Sequence, residues 1–373
     1  RADETTAFGG VSGARPARSA YLFTSERNGA PRLAYKLLTA GYRVAISERT
    51  LEAGGRRFPR GTYVVRVARN DSTVHARVDQ LARESGVDVV GVSTAFAESE
   101  QFGIGSESMW DLQPPRIALV GDEGVSQTAY GATWFVLEQR YGLTFTPVST
   151  RWPGSGDLSR FNVIIIPDGS SGTLNRVLGK EGADHVKAWV TAGGTLITMG
   201  AASAWAAREN VSLTSARIVG ADAKPDSGAK ADTAAARRPI TDELLAVTSP
   251  SAMSGQPVPL PGSHFDVILD RTHWLTSGYE EPRATILLDG SAFLTLSKEG
   301  ANIGVFPKTG KLHRAGFVWP ENTERLLRNS ALLIEEPTGS GHVVLFANEP
   351  FFRAWWHALD RLVLNAIVLG PSF

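Results

Sequence analysis

Seven histidines and no cysteine limit the chemistry open to this 373-residue chain. Without cysteine there is no disulfide, no thiolate zinc site and no cysteine nucleophile. The histidines are His75, His185, His264, His273, His313, His342 and His357. None of the seven is followed three residues later by Glu, so no His-x-x-Glu pair is present. The nearest approach is His357-Ala358-Leu359-Asp360. Its shorter acid and missing third ligand favour a capping or surface pair.

Two glycine-rich turns, Gly121-Asp122-Glu123-Gly124 and Asp168-Gly169-Ser170-Ser171-Gly172, follow apolar strands, at the edge where α/β folds bind ligands. Neither spells a phosphate-binding loop, and Asp122 and Glu123 would repel an anion. Tryptophans such as Trp152, Trp319, Trp355 and Trp356 read first as core, with the Trp355-Trp356 pair packing a final helix. Any exposed aromatic patch would be a face for a neighbouring domain.

These residues sit on two successive series of elements. Residues 1–18 carry no periodicity and read as a loose leading segment. Strands are expected at 20–24, 42–46, 63–67 and 87–90, with helices at 31–39 and 74–85; that alternation implies a parallel sheet. Gln113-Pro114-Pro115 breaks the chain, and a second α/β series begins. Its strands are expected at 116–120, 161–167 and 195–199. Ser126 or Thr128 caps one helix, and others run over 183–191, 200–207 and 351–369. Residues 213–262 loosen into an insertion, Ala/Asp/Lys-rich over 221–238, that reads as mobile. β-rich segments follow, closing with a hairpin around Thr338-Gly339-Ser340-Gly341. The organisation is therefore a small α/β domain, 1–112, and a larger one, 113–373.

Composition removes other classes. Lys+Arg and Asp+Glu both number 38, so no basic field exists to hold nucleic acid or an anionic membrane. No apolar run approaches the roughly 20 residues of a spanning helix. The chain starts at Arg1 without Met and reads as a piece of a longer polypeptide.

The second domain resembles the class I glutamine-amidotransferase-like (flavodoxin-like) fold with β-rich additions. More narrowly, it is similar to the version at the C-terminus of bacterial secreted zinc carboxypeptidases of the carboxypeptidase A type. The resemblance is carried by Arg116-Ile117-Ala118-Leu119-Val120, Asp157-Leu158-Ser159-Arg160-Phe161-Asn162-Val163 and Val190-Thr191-Ala192-Gly193-Gly194-Thr195-Leu196. His273-Trp274-Leu275-Thr276-Ser277-Gly278-Tyr279 and Phe346-Ala347-Asn348-Glu349-Pro350-Phe351-Phe352-Arg353 complete it.

In working members of that fold, a strand turns sharply into a helix and presents a cysteine beside backbone N–H donors. The matching stretch is Met199-Gly200-Ala201-Ala202-Ser203-Ala204, and alignment of the turn places Ala202 at the nucleophile. The late-strand segment at Asn348 and Glu349 keeps a Glu but no His. Ser203 is one residue from the expected position but has no base nearby in sequence, so capping or packing is favoured. His273 is either near the old cleft or a buried residue fixing the loop that Trp274 packs down.

The resemblance thus implies a non-catalytic accessory region of an exported, secreted or periplasmic enzyme. Its partner would be the peptidase domain of the same polypeptide, and zinc would belong to that domain alone. A second reading is a ligand-binding module whose vacated cleft, around Ala202, Ser170, His273, Glu349 and Arg353, takes a peptide carboxylate or a sugar, with Arg353 as the anion fork. A third is a serine hydrolase built on Ser203 with His273 as its base.

Overall fold

The structure is a computed structural model, and it describes residues 9–97, 102–105, 107–221 and 255–373. The core of the expected insertion, residues 222–254, lies outside the described residues, as do residues 1–8 of the leading segment.

The first unit is a six-stranded sheet. Its strands are β1 (Gly10–Gly13), β2 (Ala20–Phe23), β3 (Ala45–Ser47), β6 (Tyr63–Arg66), β7 (Asp88–Val92) and β8 (Met109–Asp111), with β4 (Leu51–Ala53) and β5 (Arg56–Phe58) forming a separate hairpin. The order is β1-β7-β2-β6-β3-β8. Only β1 and β7 run parallel; every other pairing in this sheet is antiparallel. The parallel sheet expected from alternating strands and helices is therefore overturned. Helices α1 (Ala30–Thr39) and α2 (Val74–Ser85) do occur, but β6 enters between β2 and β3 and reverses both contacts. Residues 10–13 of the supposedly loose segment form β1, an edge strand held by its ladder to β7.

The second unit is built on mostly apolar strands that, apart from the exposed edge strand at Thr146–Ser149, are buried on both faces, as a parallel sheet covered by helices requires. β9 (Ile117–Gly121), β10 (Thr146–Ser149), β11 (Val163–Ile166), β12 (Thr195–Met199) and, much later, β18 (Gly341–Phe346) form the parallel core in the order β10-β9-β11-β12-β18. The sheet continues antiparallel through β17 (Ala331–Thr338), β15 (Ala301–Val305), β13 (Leu260–Leu269) and β14 (Arg283–Gly290), with β16 (His313–Ala315) paired to β13. Alternation along the strands divides the core. Ile117, Leu119, Ile165, Ile197 and Phe346 face the side shared with α1 and the first unit. Ala118, Ile164, Leu196 and Leu345 face the other side.

The helices of the second unit are α3 (Gln127–Trp134), α4 (Trp152–Ser155), α5 (Ser171–Thr191) and α6 (Ala201–Ala206). The Ser126 hydroxyl caps α3, accepting from Ala129 N–H. The last helix, α7, is Asp360–Leu369, not the whole of 351–369. Arg353 and Ala354 both take positive φ (51° and 58°) and break any earlier turn. Trp355 is accordingly exposed ahead of the helix instead of packing it. Among the described residues no helix is long and apolar enough to cross a membrane.

Candidate functional site

The strand-to-helix turn after β12 has the geometry of a nucleophile elbow, but its strained residue is Gly200. With φ 54° and ψ −119°, Gly200 occupies backbone space that costs a side-chain-bearing residue roughly 1–3 kcal/mol. Its N–H is shared between the carbonyls of Phe346 (2.9 Å) and Asn348 (3.2 Å), which locks the elbow to the end of β18. The placement of the elbow at Ala202 is thus corrected by two residues. Ala202 lies inside α6, fully buried with Leu196 and Trp205. The signal was legible, because a glycine joining a buried strand directly to a helix marks a position that needs positive φ.

A Cβ built on Gly200 would collide with the carboxylate of Asp168. That carboxylate stands over the elbow because its Oδ1 accepts from Gly169 N–H (2.8 Å) and Ala201 N–H (2.6 Å). A backbone N–H of the residue after the nucleophile, with a second from a neighbouring loop, is the donor pair that steadies a developing oxyanion. Here a carboxylate of the chain itself takes both donors. The nucleophile is missing and the anion position is filled.

Ser203 is fully buried. Its hydroxyl donates to the Phe346 carbonyl (2.7 Å) and contacts Thr198 Oγ1 (2.8 Å), so it ties α6 to β18 and β12. His273 does not serve it. The His273 Nδ1 accepts from Leu275 N–H (3.3 Å), and its Nε2 faces Glu335 (3.4 Å). Glu335 also meets His342 Nδ1 (2.6 Å), and His342 pairs in register with Thr195, the first residue of β12. The elbow follows the other end of β12, four residues or about 13 Å along the strand. His273 therefore belongs with the amino edge of the sheet and is corrected out of the cleft group.

At the carboxyl edge the structure gathers acids that sequence reasoning did not combine. Asn348 is tied to the elbow through its carbonyl and to β14 through Nδ2, which donates to the Leu287 carbonyl (2.9 Å). The next residue, Glu349, feels the charges of Asp168, beside the elbow, and of Asp289, two residues beyond Leu287. Glu349 is 9% exposed, and its Oε1 has no hydrogen-bond partner. Burial, then the charges of Asp168 and Asp289, push its carboxyl up to about 7, against the Arg353 N–H and guanidinium. Asp168 and Asp289 are raised too, each chiefly by burial.

Ser170 is the N-cap of α5, its hydroxyl accepting from Thr173 N–H (3.3 Å). Arg353 is exposed, its guanidinium over the Phe352 ring (5.5 Å). The His357–Asp360 pair forms (3.2 Å), but Arg140 Nη1 approaches His357 Nδ1 at 2.6 Å, so a guanidinium sits where a metal would have to be. Among the described residues no group of three or more His, Cys, Asp or Glu could hold a metal ion. Near the first glycine-rich turn, Gly121, Asp122, Val125, Tyr130, Val148 and Ser149 line a cavity of about 410 Å³. Glu123 on that turn is paired by Arg151 and Arg176, both at 2.9 Å.

No family model matches the chain, and no curated protein matches it. Among solved structures it is similar to a ThuA-like protein of Parabacteroides merdae, with 11% identity over 69% of this chain and 90% of that one and a TM-score of 0.43. PurLQS from Thermotoga maritima gives 12% identity, 68% and 97% coverage and a TM-score of 0.42. A glutamine amidotransferase of Thermotoga maritima gives 7%, 62% and 74%, and 0.36. All three scores lie below 0.5. It is the chain's own parallel order β10-β9-β11-β12-β18, with an elbow closing β12, that makes this a mixed α/β, class I glutamine-amidotransferase-like fold.

Proposed function

We propose that this chain is a non-catalytic accessory region of an exported zinc metallocarboxypeptidase, packing on the peptidase or helping to present substrate. The observation that carries the non-catalytic part is the elbow: Gly200 has no side chain to attack with, and Asp168 holds both N–H donors that an oxyanion would need. The peptidase parent, and with it zinc in a separate domain and a secreted or periplasmic setting, is supported by the motif resemblance of residues 113–373.

Two other readings weigh less. A serine hydrolase would need the Ser203 hydroxyl free, and it is committed to Phe346 and Thr198. A cleft for a peptide carboxylate would place that anion beside Asp168, Asp289 and Glu349, where like charge opposes it. The test is turnover of glutamine, peptide and ester substrates by the chain, with and without zinc. We expect rates at background throughout. Zinc-dependent turnover lost in His357→Ala, or ester turnover lost in Ser203→Ala, would overturn the proposal.

A further inference from the structure

We propose that the cavity between α1 and the starts of β9 and β10 binds a phosphate monoester carried on a small aromatic body. The inference goes beyond the non-catalytic reading above and does not depend on it. The cavity holds about 340 Å³, and among the described residues its only charged lining side chains are Arg116 and Arg160. Both belong to segments that carry the resemblance, and the function proposed above uses neither. A cavity lined by one sign of charge concentrates counter-ions.

The two arginines are held in place. Asn162, buried just ahead of β11, stitches their segments together. Its Oδ1 accepts from Arg116 N–H (2.6 Å), its Nδ2 donates to the Pro114 carbonyl (3.1 Å), and its own N–H donates to the Arg116 carbonyl (3.1 Å). Arg116 Nε donates to the Arg160 carbonyl (2.9 Å), which fixes that guanidinium and leaves both Nη groups for a fork. The Arg160 guanidinium lies over the ring of Phe161 (5.9 Å), another lining residue.

Neither guanidinium has a carboxylate partner among the described residues. Exposed arginines nearby in sequence do, since Arg151 and Arg176 both close on Glu123. The charge of Arg160 reaches Asp157, but that carboxylate is committed to Ser159, accepting from its N–H (3.0 Å) and its hydroxyl (2.6 Å). Two unpaired guanidiniums match the double charge and three acceptor oxygens of a phosphate monoester. The Thr146 hydroxyl, also on the lining and without a partner among the described residues, adds a neutral donor. Phe145 and Phe161 supply ring walls, which suits an aromatic body. Tyr35 closes the side towards α1, its hydroxyl accepting from Thr144 N–H (3.0 Å), so the cavity is walled by both units.

The experiment is a calorimetric or NMR titration of the full chain with phenyl phosphate at pH 7. Phenylacetate keeps the ring but carries a carboxylate, inorganic phosphate removes the ring, and benzyl alcohol removes the charge. Phenyl phosphate should bind saturably and about tenfold or more tighter than any of the three. Its affinity should climb between about pH 5 and 7, as the phosphate takes its second charge, and fall with added salt. Arg116→Lys keeps the charge but loses the fork, and Arg160→Gln removes a charge. Each should weaken binding about tenfold or more. Both side chains are exposed, so the variants should keep the parent's unfolding midpoint, which shows that the loss is local. Absence of saturable phenyl phosphate binding overturns the proposal. So does binding that both variants leave intact, or equal binding of phenylacetate or benzyl alcohol. Inorganic phosphate binding as tightly as the ester would mean a bare ion site and would overturn it as well.

Discussion

Glu335 and Glu349 are buried to nearly the same degree, 5% and 9% exposed, yet their carboxyls move in opposite directions. Burial opposes ionisation at Glu335, but hydrogen bonds from His273 and His342 outweigh it and hold the acid at about 2. At Glu349 burial is reinforced by Asp168 and Asp289, and the acid rises to about 7. Partners, more than depth, decide the sign. Around Glu335 the amino edge of the sheet is a closed ion network. His342 completes it by presenting its other ring nitrogen to the Phe373 carbonyl (2.9 Å), and its pKa is raised despite burial. The carboxyl edge, where α/β folds work on ligands, is left electrostatically open. One end of these strands serves stability; the other keeps strain and unmet hydrogen-bonding capacity.

The largest test of this contrast is Glu335→Gln. It strands the His342 imidazolium in the core and should cost about 4 kcal/mol in urea unfolding at pH 7. The pH signs follow from the two shifts. The contribution of Glu335 is present above its ordinary 4.5 and lost as pH falls towards 2. That of His342 is present below 6.5 and lost as pH rises through its raised value. The variant should flatten both flanks.

Glu349→Gln should act in the opposite sense. A raised carboxyl means that the folded state binds the extra proton between 4.5 and about 7, so stability falls as pH rises through that window. The variant should be more stable than the parent by about 3 kcal/mol at pH 8 and equal to it near pH 4. An equal gain at both pH values would break the electrostatic account.

Gly200→Ala tests the elbow itself. Positive φ and the Asp168 carboxylate both oppose a methyl group, and a loss of about 2 kcal/mol is expected in thermal or denaturant unfolding. The smallest effect is that of His357→Ala. The His357 side chain is half-exposed, and Arg140 still reaches Asp360 (3.5 Å) without it, so about 0.5 kcal/mol is expected.

Sequence alone made the parallel core readable, because Val163–Ile166 is an unbroken apolar run and Leu196, Ile197 and Met199 fall on both faces of the next strand, the mark of strands buried on both faces. The first sheet was misread because its strands are three to five residues long, and so short a strand carries no record of its partner's direction. The elbow was found by resemblance, but two residues out of place, since alignment weighs residue types and not φ. The acid cluster was invisible for a plain reason. Asp168, Asp289 and Glu349 lie far apart in the chain, and only the Asn348 ties to Gly200 and Leu287 bring them together. Of the two places weighed for His273, the structure shows the loop that Trp274 packs down, and its motif says nothing of which end of the sheet that loop meets.

The contrast between the two edges stands or falls on one group. Carbon-13 NMR of glutamate-labelled protein, with Glu349 assigned through Glu349→Gln, reads its carboxyl directly across pH 3 to 9. The account predicts a titration centred near 7 for Glu349, with Glu335 staying ionised down to about 2. A Glu349 carboxyl titrating near its ordinary 4.5 would contradict it.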